Sequence, residues 1–546
     1  MTEPATTNHA VNNVLFIMCD QLRFDALSCA GGLIDTPNID ALASRGVRFD
    51  RAFVQGSVCG SSRMSTYTGR YVQSHGSRYN RVPLSISQRT IGDHLQPLGV
   101  RSVLVGKTHM AIDNSGLNRL RLDPDDPATG VVNQCGFEPF ERDDGLIPSA
   151  SPARFDHRYN EFLRENGFGG DNPWHTTANS VVGPDGERVS GWLLRASAYP
   201  AIVPDELSET AYMTNRAIDF IREAGDDRWC LHLSYIKPHW PYVVSAPYHN
   251  MVSPLDLPAP NRSEVELETD HPVLRAFHQS RIGTTFSRED VRHTVYPAYL
   301  GLVKQIDTHL GRLFAELDAL GRANDTMIVL TADHGDYMGD HWMGEKDWLH
   351  EEVVRVPLII SDPRASADST RGSVSNDLVE SIDLAPTFVE ALGGSTDQNQ
   401  WLEGQSLQPI IGGEAPLGND VAICESEFGL MEIVRDLPAG PATSRRATMI
   451  RTERYKYILS ETGPNLLYDL EQDPAEIHDR ADDPALSTVR AELHEQLFAW
   501  YRARSHEVTR RVEEKPDLVG ANARDGIFIG YWSDADAAAD EADHLL

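Results

Sequence analysis

Short apolar runs that stop abruptly at polar residues set the pattern of this chain. Val14-Leu15-Phe16-Ile17-Met18-Cys19 is apolar throughout and ends at Asp20-Gln21, the pattern of a strand covered on both faces in a mainly parallel sheet. Ser102-Val103-Leu104-Val105 repeats the pattern and delivers Gly106-Lys107-Thr108-His109. Trp229 to Ile236 delivers Lys237-Pro238-His239-Trp240-Pro241, and Met327-Ile328-Val329-Leu330 leads to Asp333-His334-Gly335. Between these strands the spacing turns helical. Asn38 to Arg45 stops at Gly46, Cys59 begins a helix that stops at Gly69, and Glu206 to Ala224 is amphipathic. Leu300, Val303, Ile306, Leu310, Leu313, Phe314 and Leu317 fall on one helical face. Residues 111–204, rich in Asp, Pro, Gly and Asn, are expected to be irregular.

Alternating strands and helices predict an α/β fold with a mixed, mainly parallel sheet sandwiched by helices. The C-terminal part differs. Thr448 to Thr452 and Tyr455 to Leu459 read as a hairpin, followed by Leu467-Tyr468-Asp469-Leu470 and a helix from Pro484 to Arg502, which suits a smaller α+β domain. The expected organisation is a disordered or extended N-terminus over 1–13, a catalytic α/β domain over 14–420, an α+β subdomain over 421–504 and an acidic arm over 505–546. Within the arm, Ile527 to Trp532 is an apolar island that packing on its own domain or on a second subunit would explain, and a homo-oligomer is expected.

Composition narrows the function. At 546 residues there is ample chain for a buried site, and a formal net charge of −32 argues against nucleic acid and anionic membranes as partners. It also makes a local cationic pocket more telling. The six cysteines show no CxxC or CxxxC spacing, so neither a zinc cluster nor a disulfide framework is indicated. The polar N-terminus and the short first apolar run suit neither a secretion signal nor a membrane span, and a cytoplasmic protein is expected.

Open α/β sheets bind ligands at the carboxyl ends of their strands, where Asp20, Lys107, His109, His239, Asp333 and His334 all fall. Asp20, Gln21 and Asp333 offer oxygen and His334 a nitrogen, a set able to hold one divalent cation. Oxygen alone favours Ca2+ or Mg2+, and the histidine tilts the set toward Mn2+. A capped turn would account for Asp333-His334-Gly335-Asp336 taken alone. The segment from Cys59 to Arg70 places a thiol, hydroxyls and a guanidinium at a helix start, where unpaired N–H groups attract an oxyanion and Arg63 would clamp it bidentately. Taken alone, this segment reads rather as a capped helix with a buried cysteine, and the other clusters supply the context that turns it into a site. Arg63, Lys107 and Lys346 would neutralise the remaining charge, and His109 and His239 would carry protons. Each of these two histidines follows a lysine by two places, which separates them from the other histidines among the 20 present.

Cys59 to Arg70 resembles the type I sulfatase signature C-x-P-S-R-x-x-x-x-x-G-R of the alkaline phosphatase superfamily. Asp20-Gln21 matches that family's N-terminal metal pair, and Lys107-x-His109 and Lys237-Pro238-His239 match two further motifs. Asp333-His334-Gly335 with Lys346 completes the set, and Arg451 to Tyr457 and Leu467 to Pro474 resemble the family's C-terminal domain. The resemblance implies that Cys59 is oxidised to formylglycine by a formylglycine-generating enzyme, and that Asp20, Gln21, Cys59, Asp333 and His334 hold one Ca2+ or Mn2+. One hydroxyl of the hydrated aldehyde would attack a small anionic ester, His239 and Lys346 would help the alcohol leave, and His109 would deprotonate the second hydroxyl so that the anion is expelled.

Two departures bear on activity. Ser61 stands where the family has the proline of the modification site, and Gln21 replaces the commoner second aspartate. Gln21, the wording of Met64 to Tyr71 and of Tyr235 to Tyr248, and Asn80, expected to bind substrate, resemble the phosphonate monoester hydrolase branch. Lys107 and His109 point toward the sulfatases, since phosphonate monoester hydrolases are expected to carry other residues there. The resemblance thus implies an arylsulfatase-like hydrolase with promiscuous phosphonate monoester and phosphodiester activity. The alternatives are a phosphonate monoester hydrolase or phosphodiesterase as the main activity, or an inactive anion- or metal-binding protein in which Cys59 stays a thiol.

Overall fold

In the computed structural model the described residues are 11–124, 126–145, 158–397, 399, 401–414, 416–429 and 445–504; the first ten residues and the acidic arm from 505 lie outside them. The apolar runs form the centre of an eight-stranded sheet: β1 (Asn13–Asp20), β2 (Val47–Phe53), β3 (Arg101–Gly106), β4 (Glu138–Arg142), β7 (Trp229–Pro238), β8 (Thr326–Ala332), β9 (Arg355–Ser361) and β10 (Ser373–Glu380). Their order is β10-β2-β9-β8-β1-β7-β3-β4, and β9 alone runs against its neighbours. Two short strands, β5 (Ser180–Val182) and β6 (Arg188–Ser190), pair as a separate ribbon.

β1 lies between β7 and β8 and is buried along its whole length, as its unbroken apolar run requires. Helices Glu209–Glu223 and Glu289–Ala319 pack on each other and on β7. The opposite face carries helices Cys59–Thr68 and Leu384–Ala391; Phe16 of β1 meets the ring of Phe388 there at 5.2 Å. The sheet is therefore sandwiched by helices, as expected. β11 (Ala422–Glu427), β12 (Arg446–Arg451), β13 (Tyr455–Ser460) and β14 (Leu466–Asp469) form an antiparallel sheet covered by helix Ser487–Arg504. This small sheet is joined to the loop before Cys59: Glu425 N–H donates to Gln55 O at 3.0 Å and Ile423 N–H to the Glu380 carboxylate at 2.8 Å.

The described residues within 111–204 are not the irregular stretch expected. They supply edge strand β4, the β5–β6 ribbon and helices Asn114–Leu120, Pro127–Val132 and Arg158–Glu165. β4 reads Glu-Pro-Phe-Glu-Arg, and only an edge strand tolerates that proline and those charges.

Register brings the polar clusters together. Cys19 pairs with both Tyr235 and Ala332, Asp20 with Pro238, and Gly106 with Ser234, so the carboxyl ends of β1, β3, β7 and β8 converge. Gly106 is required at this edge: its φ is +111°, and a Cβ there would lie 2.0 Å from Ser234 O. Gly106→Ala is expected to cost about 3 kcal/mol, from left-handed strain and the forced separation of β3 from β7. A fall in the denaturation midpoint together with loss of turnover checks this, because Lys107 is the next residue.

Candidate active site

Cys59 opens its helix behind Val58, which has no capping side chain, and its Sγ lies 3.1 Å from His334 Nε2, 3.3 Å from Lys346 Nζ and 3.7 Å from Asp20 Oδ1. His109 and His239 are each placed to hydrogen-bond the same sulfur. Burial alone would push this thiol up; Lys346, Lys107 and His334 outweigh it and hold the thiol well below its ordinary value.

Beside the sulfur, ligand atoms of Asp20, Cys59, Asp333 and His334 lie within 4.8 Å of one another, all of them buried. The carboxylates divide their work. Oδ2 of Asp333 accepts from Arg63 Nε at 2.7 Å, while Oδ2 of Asp20 accepts from Lys107 Nζ and from Arg63 Nη2. Their Oδ1 atoms face His334 Nε2 at 3.7 and 3.8 Å. His334 Nδ1 donates to Gly335 O at 2.8 Å, which directs Nε2 inward. Burial would depress His334, but Asp333 and the Cys59 sulfur push it up to about 9. A cation among these atoms would take over that positive charge and release the proton.

Gln21, at φ +66°, donates its backbone N–H to Asp333 at 3.0 Å. Its Nε2 donates to Asp336 and to the Tyr242 hydroxyl, which turns Oε1 inward to accept from Lys346 at 3.0 Å. The residues thus fit a divalent cation: two carboxylates and an imidazole nitrogen gather with the Cys59 side chain, and the Gln21 amide oxygen is turned to the same side as Lys346.

Arg63 does not serve as the oxyanion clamp read from the sequence. It is fully buried, and its donors are committed to Asp20, Asp333, the Tyr67 hydroxyl at 3.3 Å, Lys107 O at 2.9 Å and Ser234 Oγ at 2.7 Å. A guanidinium beneath two buried carboxylates satisfies them before any ligand arrives. Asn80, expected to bind substrate, also caps the Cys59 helix, its Oδ1 accepting from Gly60 N–H at 2.8 Å. Ser61 Oγ donates to Val58 O at 3.2 Å within the same turn.

The two proton carriers differ. His239 Nδ1 faces Trp240 O at 2.7 Å, and burial with the nearby Lys346 ammonium lowers its pKa to about 4, so it is neutral near pH 7. Lys346, despite burial, is held protonated by Cys59 and Asp20. The proton-bearing member of the pair expected to assist the leaving group is therefore Lys346. His109, at φ +57°, is fixed through its backbone: its N–H and that of Thr108 both donate to Asp144 Oδ1 at 2.9 Å.

Asp144, Asp336, Tyr242 and Ser234 were not singled out from the sequence as site residues. Only Asp336 carried a signal, as the last residue of Asp333-His334-Gly335-Asp336. Asp144 lies just beyond β4, inside the stretch read as irregular.

Comparison with known proteins supplies context for this geometry. The Sulfatase family model matches residues 12–394, and the model described as N-sulphoglucosamine sulphohydrolase, C-terminal, matches 339–503. The chain is 30% identical over 512 residues, 89% of its length and 95% of the relative's, to the multifunctional alkaline phosphatase superfamily protein PehA of Trinickia caryophylli. It is 26% identical to an arylsulfatase of Clostridium perfringens, covering 85% of this chain and 89% of that one. Among solved structures, phosphonate monoester hydrolase SpPMH from Silicibacter pomeroyi superposes with a TM-score of 0.78 at 29% identity, covering 91% of this chain and 96% of the other.

Proposed function

The chain belongs to the sulfatase family of the alkaline phosphatase superfamily, and from that premise we propose that it hydrolyses sulfate monoesters, aryl sulfates included, through formylglycine formed at Cys59, with phosphonate monoesters and phosphodiesters as further substrates. One observation carries the reading: the Cys59 side chain stands at a helix start, against a cation-ready group of ligands, with Lys346, His109 and His239 converging on its reactive atom. All six cysteines are free, and no helix among the described residues is long and apolar enough to cross a membrane. The free thiols suit a reducing compartment, and the cytoplasm is the compartment proposed.

Asp20, Gln21, Asp333 and His334, with the oxygen that formylglycine offers at position 59, would hold Mn2+ or Ca2+. Bound there, the cation supplies positive charge that draws the ester's anionic oxygens and favours ionisation of a neighbouring hydroxyl. Formylglycine, made by a formylglycine-generating enzyme, supplies a hydrated aldehyde whose second hydroxyl provides a route for expelling the anion. The remaining work belongs to this chain's own side chains. Arg63 holds both aspartates in place and Lys107 pairs with Asp20, so the floor stays ordered. Lys346 carries the proton toward the departing oxygen, neutral His239, whose Nδ1–H is spent on Trp240 O, accepts at Nε2 from the alcohol hydroxyl so formed, and His109 takes the proton that regeneration releases.

A second reading, with phosphonate monoesters as main substrates, is favoured by the likeness to phosphonate monoester hydrolase SpPMH and by Gln21, which that branch shares and which Asp336 and Tyr242 orient. Comparing kcat/KM for 4-nitrophenyl sulfate and a 4-nitrophenyl phosphonate monoester decides between the two. A higher value for the sulfate is expected, and a large phosphonate preference reverses the order. Exhaustive chelation is expected to abolish turnover and to lower the thermal midpoint, both being restored by Mn2+ or Ca2+; full activity after chelation refutes the cation's role.

A further inference from the structure

Arg63 supports both aspartates of the floor, and its own place is set from behind by groups that touch neither aspartate. Tyr67 follows Arg63 by four residues on the Cys59 helix, so the two side chains leave the same face. The Tyr67 hydroxyl stands 3.3 Å from Arg63 Nη1 and 2.8 Å from Nε2 of His232, in the middle of β7. The other ring nitrogen, His232 Nδ1, lies 3.2 Å from Phe16 O of β1. All four residues are fully buried.

The direction of each hydrogen bond in this row follows from the chemistry of its members. A carbonyl oxygen only accepts, so His232 Nδ1 carries the hydrogen. Burial and the nearby Arg63 guanidinium lower the His232 pKa to about 3, so the ring is neutral and its Nε2 is a bare acceptor. Tyr67 therefore donates to Nε2, which leaves only lone pairs on its oxygen to face the Arg63 N–H. The imidazole is held in this setting by its neighbours, stacked on Phe16 at 4.4 Å and met by the rings of Tyr67 and Phe137 at 5.2 Å.

Together with Lys107 O and Ser234 Oγ, the Tyr67 oxygen fixes the rotation of the guanidinium. That rotation places Nε against Asp333 Oδ2 and Nη2 against Asp20 Oδ2, and the opposite oxygens are the ones left for a cation. We propose that Tyr67 and His232 are positioning residues of the floor, and that the row from Phe16 O through His232 and Tyr67 to Arg63 aims both aspartates and so sets the affinity for the divalent cation. The inference rests on the cation site of the proposed hydrolase and extends its determinants into the core behind it.

The test titrates the Mn2+-loaded protein with a chelator of known affinity, well below the thermal midpoint, and reads retained Mn2+ by elemental analysis. Mass spectrometry ensures that residue 59 is in the same state in every preparation. His232→Phe keeps an aromatic ring but strips the Tyr67 hydrogen of its acceptor, so the hydroxyl turns that hydrogen on Arg63; a weakening of Mn2+ binding by about tenfold or more is expected. Tyr67→Phe alone should cost less, because Lys107 O and Ser234 Oγ still hold Nη1. In the His232→Phe background it should restore part of the loss, since no orphaned hydrogen then remains. Phe137→Leu loosens the same ring cluster without entering the row, and should lower the thermal midpoint while leaving Mn2+ affinity unchanged. Where His232→Phe yields no folded protein, Tyr67→Phe against Phe137→Leu makes the comparison. Unchanged affinity in the row variants overturns the inference, as does a double variant that binds Mn2+ more weakly than His232→Phe, or an equal loss in Phe137→Leu; the ester-hydrolase reading then stands. A wild type with no saturable binding of Mn2+ or Ca2+ overturns the inference and the cation site together.

Discussion

Cys59→Ala is expected to lower turnover of every ester substrate by about 10⁴-fold or more, while the thermal midpoint shifts little. The contrast follows from position. Cys59 is buried, but its sulfur faces charged and imidazole groups of the floor, so truncation removes the reacting atom without opening a cavity in the apolar core. Steady-state kinetics beside thermal denaturation of the same preparation measures both halves. Mass spectrometry of the peptide containing residue 59 completes the test, since aldehyde and thiol differ in mass. Retained turnover in Cys59→Ala refutes its nucleophilic role, and an unmodified thiol in active protein from the native host refutes the formylglycine mechanism.

Arg63→Ala is expected to destabilise the fold by about 3–5 kcal/mol and to abolish turnover together. Its guanidinium is the shared partner of Asp20 and Asp333, both fully buried, and removing it leaves two carboxylates without their common counter-charge. Arg63→Lys keeps the charge but cannot reach Asp20, Asp333, Tyr67, Lys107 and Ser234 together, so it should recover only part of the loss. A substrate clamp would behave otherwise, raising KM and leaving the denaturation midpoint in place. That outcome would restore the role first read from the helix start.

The legible parts of this protein were those whose physics is local. An unbroken apolar run followed by Asp20, Lys107, His239 or Asp333 announces a buried strand and a ligand-facing strand end, because alternation is lost when both faces are covered. β2 and β10 gave no such sign. Each sits toward one side of the sheet with Arg48, Asp50 and Arg51, or Asn376 and Asp377, in its course. β4, with its edge proline, was hidden for the same reason, and Asp144 with it.

By itself, then, the sequence determined which residue types stand at the strand ends and at the start of the Cys59 helix, and so the ester chemistry they suggest. Roles set by partners far along the chain were decided only by tertiary structure. Arg63 is a support of the floor because β1 and β8 bring Asp20 and Asp333 over it, and Asn80 is a cap because its loop returns to Gly60. His239 is neutral because burial and Lys346 act on it together, and Asp347 sits at φ +99° where Ser57 and Ser426 hold its carbonyl from two separate segments. The physical reason is common to all four: a charge or hydrogen bond takes its energy from the distance and desolvation of its partner, which folding alone establishes.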